Sequence, residues 1–290
     1  MLPLKNELRY QISVIILCAG EGIRFKEITK NLPKPLLKVK SLNNIEILYH
    51  TINNFVELGL DRIVVIKGHL GNQIEDFISS LKNSKKFPLA NLLVISSGED
   101  YKLGSLFSFL SITKNNVIFK TDTLFLVIPG DTIFEFNLLK EIIIISLKNF
   151  NLIQAFPIAF YREMKVSELK EKHKNIIQNS PKSISIAQIE RQNSNSFLKK
   201  IQKEDLRVLT NDEQVRQLIP IFIFNYNLVN EFLNLKGKVL INSIWETINH
   251  VIKNGEKVIA FKIDKRYQFY DIDTELDLLN FNMKKKKDGQ

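Results

Sequence analysis

Four short apolar runs, each followed by a stretch of helical period, constrain this chain more than any other feature. The runs occupy 13–18, 62–66, 92–95 and 124–128. Between them, Ile45, Leu48, Ile52, Phe55 and Val56 mark a helix over 44–58 that Gly59 stops, and Ile74, Phe77, Ile78 and Leu81 mark another over 72–81. A short helix is expected over 103–112 after Gly104, and a longer one over 137–147. Strands alternating with helices at this spacing predict βαβ units. Runs that are apolar throughout, rather than at every second position, predict a sheet covered on both faces. The expected fold is therefore α/β and Rossmann-like, with a mostly parallel central sheet flanked by helices.

After Phe160 the pattern changes. The stretch 161–196 is rich in Lys, Glu, Asn and Ser, with little periodicity, and is expected to form a small polar insertion lobe. Strands are expected again at 197–201, 218–224 and 257–263. A helix over 241–254 places Ile244, Trp245, Ile248, Val251 and Ile252 on one face, and a last helix over 274–281 opens with Thr274 and Asp277 at capping-box spacing.

Composition removes several function classes. The net charge is +10, but Lys284, Lys285, Lys286 and Lys287 form a run in a basic tail at 283–290. The chain shows neither an arginine-rich helix nor an aromatic-basic signature, so a nucleic-acid partner is not expected. No apolar run approaches the roughly 20 residues that span a bilayer. The start of the sequence has no apolar segment followed by a small-residue cleavage site, so a cytoplasmic protein without a membrane partner is expected. The single cysteine, Cys18, allows no internal disulfide, and at the end of an apolar strand it suits packing rather than nucleophilic attack. No serine stands in a nucleophile elbow and the four histidines form no ligand pair. No covalent mechanism is expected.

The residues that suggest chemistry begin where the first strand ends. Ala19-Gly20-Glu21-Gly22 is followed by Arg24 and then by Pro33-Lys34-Pro35. The third glycine of a dinucleotide loop is missing, since Phe25 holds its place, and no P-loop pattern exists. What remains is a glycine loop with two fixed cations, a planar fork and a mobile point charge, which suits a polyphosphate. A βα turn with surface cations would use the same residues. Asp131, after the strand at 124–128, stands where open α/β sheets bind ligands, and a carboxylate there can hold Mg²⁺; a plain turn is the alternative. Asp271 and Asp273, two apart in an extended segment, point the same way, although Asp273 also suits the start of the last helix. Lys203 could grip a second anion or lie on a solvated strand face.

Taken together, these positions resemble the sugar-phosphate nucleotidyltransferase superfamily. The leading motif, L-x-A-G-x-G-x-R-[LF]-x-x-x-T-x-x-x-P-K-x-L-L-x-V, is filled in register by Leu17, Ala19, Gly20, Gly22, Arg24, Phe25, Thr29, Pro33, Lys34, Leu36, Leu37 and Val39. Gly104-Ser105, Pro129-Gly130-Asp131, Phe224-Asn225 and Asp271-Ile272-Asp273-Thr274 resemble later motifs in the same order. The resemblance implies a nucleotidyltransferase fold, similar in architecture to glycosyltransferase-A, in one domain over 11–282. Its nucleotide-binding part would be 11–150 and its acceptor-binding part 151–282. It implies nucleotide contacts from Leu17, Ala19, Gly20, Gly22, Arg24, Lys34, Gly104 and Asp131, with Arg24 and Lys34 catalytic. Mg²⁺ would bind at Asp131 with Asp271 or Asp273, and Lys203 would touch the acceptor phosphate.

The implied reaction passes NMP from an NTP to a sugar-1-phosphate, or to a non-sugar acceptor such as phosphocholine or inositol phosphate, without a covalent intermediate. Departures cluster on the acceptor side. Gln202-Lys203-Glu204 replaces E-K-P, Pro220 stands near a usual glycine, and Glu275 replaces a proline. Asp131-Thr132-Ile133 lacks the second carboxylate of a glycosyltransferase D-x-D. A nucleotide-sensing subunit on the same fold is the remaining alternative; relatives of that kind lose the cations or carboxylates that this chain keeps. Base, acceptor and oligomeric state are not legible.

Overall fold

The first apolar run is buried on both faces, and the sheet is built outward from it. The computed structural model describes residues 11–25, 30–84, 86–87, 90–236 and 241–288, the last five of these by backbone alone. Thr29 and residues 289–290 lie outside the described residues. In chain order the strands are β1 (Ile12–Cys18), β2 (Lys38–Val39), β3 (Ile45–Glu46), β4 (Arg62–Lys67), β5 (Asn91–Ser96), β6 (Leu124–Pro129), β7 (Thr132–Phe134), β8 (Ile158–Lys165), β9 (Ser183–Gln192), β10 (Asn195–Asp205), β11 (Gln214–Phe224), β12 (Val258–Lys262) and β13 (Phe269–Asp271). Nine of them form one sheet in the order β5-β4-β1-β6-β11-β8-β12-β10-β9.

The sheet is mixed, which corrects the mostly parallel expectation. The β5, β4, β1 and β6 pairings are parallel, as is β8 with β12. The β6–β11, β11–β8, β10–β12 and β9–β10 pairings are antiparallel. The physical reason is local. β9 and β10 are joined directly through Asn193, which has φ 54°, and a tight hairpin can only return antiparallel.

Alternate residues of β1 serve two cores. Ile12, Val14, Ile16 and Cys18 pack on one face with the helices Ile47–Glu57, Gly71–Asn83 and Phe136–Lys148. Ile15 and Ala19 pack on the other with the helices Ser105–Leu110, Tyr226–Leu235 and Ile244–Lys253. This two-sided burial explains why the strand reads as a continuous apolar run. Among the described residues, no helix is long and apolar enough to cross a membrane.

The stretch expected to be a polar lobe is structured. It contains most of β8, the helices Val166–Lys172 and Lys174–Ile177, and β9. Met164, Val166, Leu169 and Ile184 form a small core with Leu206 and Val215. Leu206 and Val215, a third of that core, come from outside the stretch, so no local period could display it. Tyr226–Leu235 is a helix that periodicity did not indicate; Asn225 caps it, its side chain accepting from the Leu228 N–H at 2.9 Å. The last helix is longer than expected, Glu275–Asp288, and the tail at 283–290 continues it as far as Asp288.

Candidate active site

β1 turns towards β4 on one side, whereas β6 lies on its other side, so the carboxyl ends of β1 and β6 flank a point where the strand order reverses. A cleft of about 490 Å³ opens there, within the usual range for small-molecule sites. Leu17, Ala19, Gly20, Gly22, Arg24, Lys34, Gly104 and Asp131 all line it. Gly22 has φ 65°, and the Phe25 N–H donates to its carbonyl at 2.8 Å, closing a 3-10 turn over Ile23–Phe25. The Phe25 ring is 1% exposed and packs with Leu37, Val39, Ile133, Tyr270 and Ile272. That small core fixes the neighbouring Arg24 backbone while its side chain stays in solvent.

Lys34 opens a second 3-10 turn after Pro33 and is buried, its ammonium 3.3 Å from Asp131 Oδ2 and 5.7 Å from the Phe25 ring centroid. Asp131 stands between β6 and β7, and Gly130 before it admits no side chain. A Cβ there would meet Cys18 Sγ at 2.5 Å and the Leu17 carbonyl at 2.9 Å. Gly130→Ala is expected to cost about 1–3 kcal/mol of stability through overpacking, read as a lower urea midpoint with an unchanged slope. An unchanged midpoint would contradict this packing. Burial pushes the Cys18 thiol well up, and Asp131 pushes it further, which keeps it protonated. Gly104 has φ 116° and a Cβ there would collide with the Asn242 carbonyl, so its identity is set by packing as well as by its place in the cleft.

β7 pairs antiparallel with β13, placing Thr132 opposite Asp271. The Thr132 hydroxyl donates to Asp271 Oδ1 at 2.8 Å, and the Ile272 N–H donates to the Asp131 carbonyl at 3.2 Å. Gly130 and Asp131 form a turn, and Thr132 directly after it begins the two-stranded ladder that draws the carboxylates together. Burial pushes the Asp271 carboxyl above its ordinary value. Lys182 and Thr132 oppose the shift, and the Asp273 and Asp131 charges add to it. Asp273 is an ion-pair partner of Arg24 at 2.8 Å and of Lys182 at 3.5 Å. Burial raises its pKa, but the charges of Lys182, Arg24 and Lys34 outweigh that and hold it below the usual range.

Sequence reasoning missed Lys182. It is buried beside Asp273 and donates to Asp277 Oδ1 at 2.8 Å. Burial opposes its charge, while Asp273, Asp277 and Asp271 together raise its pKa. Asp277 also accepts from the Thr274 N–H and hydroxyl at 2.8 and 2.7 Å, so the capping box is present and its second oxygen carries an ion pair. Only Asp277, through that spacing, was visible beforehand. Lys203 stands on β10 with its ammonium 5.4 Å from the Trp245 ring centroid. No described contact joins it to Asp131, Asp271 or Asp273, and it does not line the cleft.

The donor set fits a hard cation in part. Among the described residues no group of three or more His, Cys, Asp or Glu is arranged to hold a metal unaided. The carboxylates that gather here, Asp131, Asp271 and Asp273, are hard oxygen donors. Mg²⁺ is commonly held by one or two carboxylates together with substrate phosphates, a requirement this arrangement meets.

The family model "Nucleotidyl transferase" matches residues 13–156. A bifunctional protein GlmU from Methanococcus maripaludis is 33% identical over 124 residues, 43% of this chain and 26% of that protein. A choline-phosphate cytidylyltransferase from Haemophilus influenzae is 38% identical over 64 residues, 22% of this chain and 26% of that protein. The match spans about a quarter of the length of the curated relatives first found. A UDP-glucose pyrophosphorylase solved with UDP-glucose superposes with TM-score 0.66 at 17% identity, over 95% of this chain and 98% of that one. At that identity the likeness shows the fold.

Proposed function

Residues 13–156 belong to the nucleotidyl transferase family, and on that premise we propose that the protein transfers a nucleoside monophosphate from an NTP to a phosphate monoester. The observation that carries this reading is the buried Lys34 held 3.3 Å from Asp131 at the joint carboxyl ends of β1 and β6, in a cleft that Arg24 also lines. An oxygen of the acceptor phosphate attacks the α-phosphorus, the bond from that phosphorus to the bridging oxygen breaks, and pyrophosphate leaves. The attacking phosphate is already an anion near neutral pH, so no general base is needed. Catalysis is positioning and charge neutralisation.

In this reading the glycine loop lets the triphosphate lie close to the backbone, and Lys34 neutralises the α-phosphate. Arg24, two-thirds exposed and paired with Asp273, swings onto the leaving pyrophosphate. Asp131 with Asp271 or Asp273 would hold Mg²⁺, which would supply positive charge against the phosphates. Lys203 is the acceptor contact implied by motif alignment.

The acceptor classes to be tested are sugar-1-phosphates, phosphocholine and inositol phosphate. The Asp271-Ile272-Asp273-Thr274 and Gly104-Ser105-Leu106 stretches resemble those of cytidylyltransferase-like members of the superfamily, so CTP is included in the panel. Pyrophosphate release, measured for four NTPs against that panel, tests the proposal. Turnover by at least one pair, dependent on a divalent ion, is expected. No release with any pair would favour a nucleotide-sensing role.

A further inference from the structure

Arg162 is a buried charge that the nucleotide cleft does not use. It stands on β8 with no exposed surface. Burial pulls its guanidinium down to about 10, yet it forms no ion pair with a carboxylate among the described residues. Its hydrogen-bond acceptors are neutral. Nε and Nη2 donate to Gln217 Oε1 at 3.0 and 2.8 Å, and Nη1 donates to the Tyr267 carbonyl at 2.6 Å and to Gln268 Oε1 at 3.2 Å.

The two bonds to one oxygen orient Gln217. Its carbonyl must face Arg162, so its amide Nε2 faces away. Gln217 is 5% exposed, and Nε2 has no acceptor among the described residues. The side chain lines a cavity of about 50 Å³, shared with Lys172, Lys182, Ser185, Phe269 and Asp271. β9 closes one wall by returning to β11, where Ile186 meets Gln217. A cavity of this size holds a few water molecules or one small oxyanion.

The aromatic rings argue against a cation in this cavity. Arg162 lies 4.7 Å from the Phe269 ring centroid and Lys172 lies 4.3 Å from that of Tyr270. The ring surface that a quaternary ammonium would need is therefore shared with the chain's own cations. The polar groups on the cavity wall are the oriented Gln217 amide, the hydroxyls of Ser183 and Ser185, His173, Asp271, and the ammonium groups of Lys172 and Lys182, which also donate to the Phe269 carbonyl and to Asp277.

We propose that this cavity receives an oxyanion of the acceptor, a phosphoryl or carboxylate group, seated on the Gln217 amide between Lys172 and Lys182. Naming the ligand as the acceptor rests on the transferase reading; binding of an anion does not. Arg162 is then a positioning residue that acts through Gln217.

The test is equilibrium titration of the full chain, without nucleotide, with inorganic phosphate and separately with acetate. Saturable binding of at least one is expected. Tighter phosphate binding marks a phosphoryl group and tighter acetate binding a carboxylate. Gln217→Glu places a carboxylate against Arg162 at nearly constant volume and removes the donor. It should weaken binding at least about tenfold, as expected for losing a hydrogen bond to a charged group, without lowering Tm. Ser185→Asp, which adds negative charge from β9 without touching Arg162, carries the same test should Gln217→Glu not fold. Lys34→Ala should leave this binding unchanged.

Absence of saturable binding, or binding that survives Gln217→Glu, overturns the proposal. So does binding lost in Lys34→Ala, because the anion then lies in the nucleotide cleft. Phosphate bound as expected alongside no pyrophosphate release with any substrate pair would count against the transferase reading alone.

Discussion

Lys34→Ala will lower kcat/KM for the best NTP and acceptor pair by at least about 100-fold, a loss of roughly 2.7 kcal/mol of transition-state stabilisation. The size follows from the setting of the ammonium. At an effective dielectric near 20, a cation about 4 Å from an anion contributes roughly 4 kcal/mol before desolvation costs. Lys34 is 6% exposed, so most of its desolvation occurs on folding rather than on substrate binding. Arg24→Ala should be less damaging, since that side chain is 68% exposed and must exchange Asp273 for the phosphates. Steady-state kinetics on both variants, with thermal melts to exclude unfolding, separates the two. Near wild-type turnover by Lys34→Ala would remove the cleft from the chemistry.

Asp271→Asn is expected to lose activity without losing stability. The asparagine oxygen can still accept from the Thr132 hydroxyl, so the β7–β13 ladder keeps its bond. What disappears is a partly buried charge whose folded-state pKa is raised, chiefly by burial. For an acid with a raised folded pKa, the charged form is the one that the fold disfavours. The cost is absent below the ordinary aspartate pKa of about 3.9 and grows as pH rises from there through the folded value. The variant should therefore match the wild type in Tm near pH 3 and equal or exceed it near pH 7. Turnover should fall at least about 100-fold, and Mg²⁺ should raise the Tm of the wild type only. A variant that melts several degrees lower at pH 7 would make Asp271 a structural residue.

The first half of the chain was legible because its signals are local. The apolar runs of β1, β4, β5 and β6 and the helices between them follow from adjacent residues, with ends displaced by only a few positions. The glycine loop follows β1 and Asp131 follows β6, while Arg24 and Lys34 stand in 3-10 turns of the loop, and it was the motif resemblance that grouped them as candidate ligand contacts. The second half was less legible because its order is assembled from distant pieces. Met164 and Leu169 pack with Leu206 and Val215, Lys182 finds its carboxylates near position 275, and Arg162 meets Gln217 across two strands. Polar stretches whose few apolar residues meet partners far along the chain look like loops until those partners are known. The mixed sheet escaped notice for a different reason, since strand direction follows from connections such as the turn at Asn193 and not from composition.

The ladder between β7 and β13 has a consequence for the order in which the protein matures. Thr132 and Asp271 are 139 positions apart, so this contact is among the costly long-range closures of the chain. During synthesis the glycine loop and β6 leave the ribosome well before β13 does. A nascent chain can therefore hold a half-built cleft, with Asp131 in place and its carboxylate neighbours still unmade. The set of carboxylates becomes whole only when the segment that carries β13 docks onto β7.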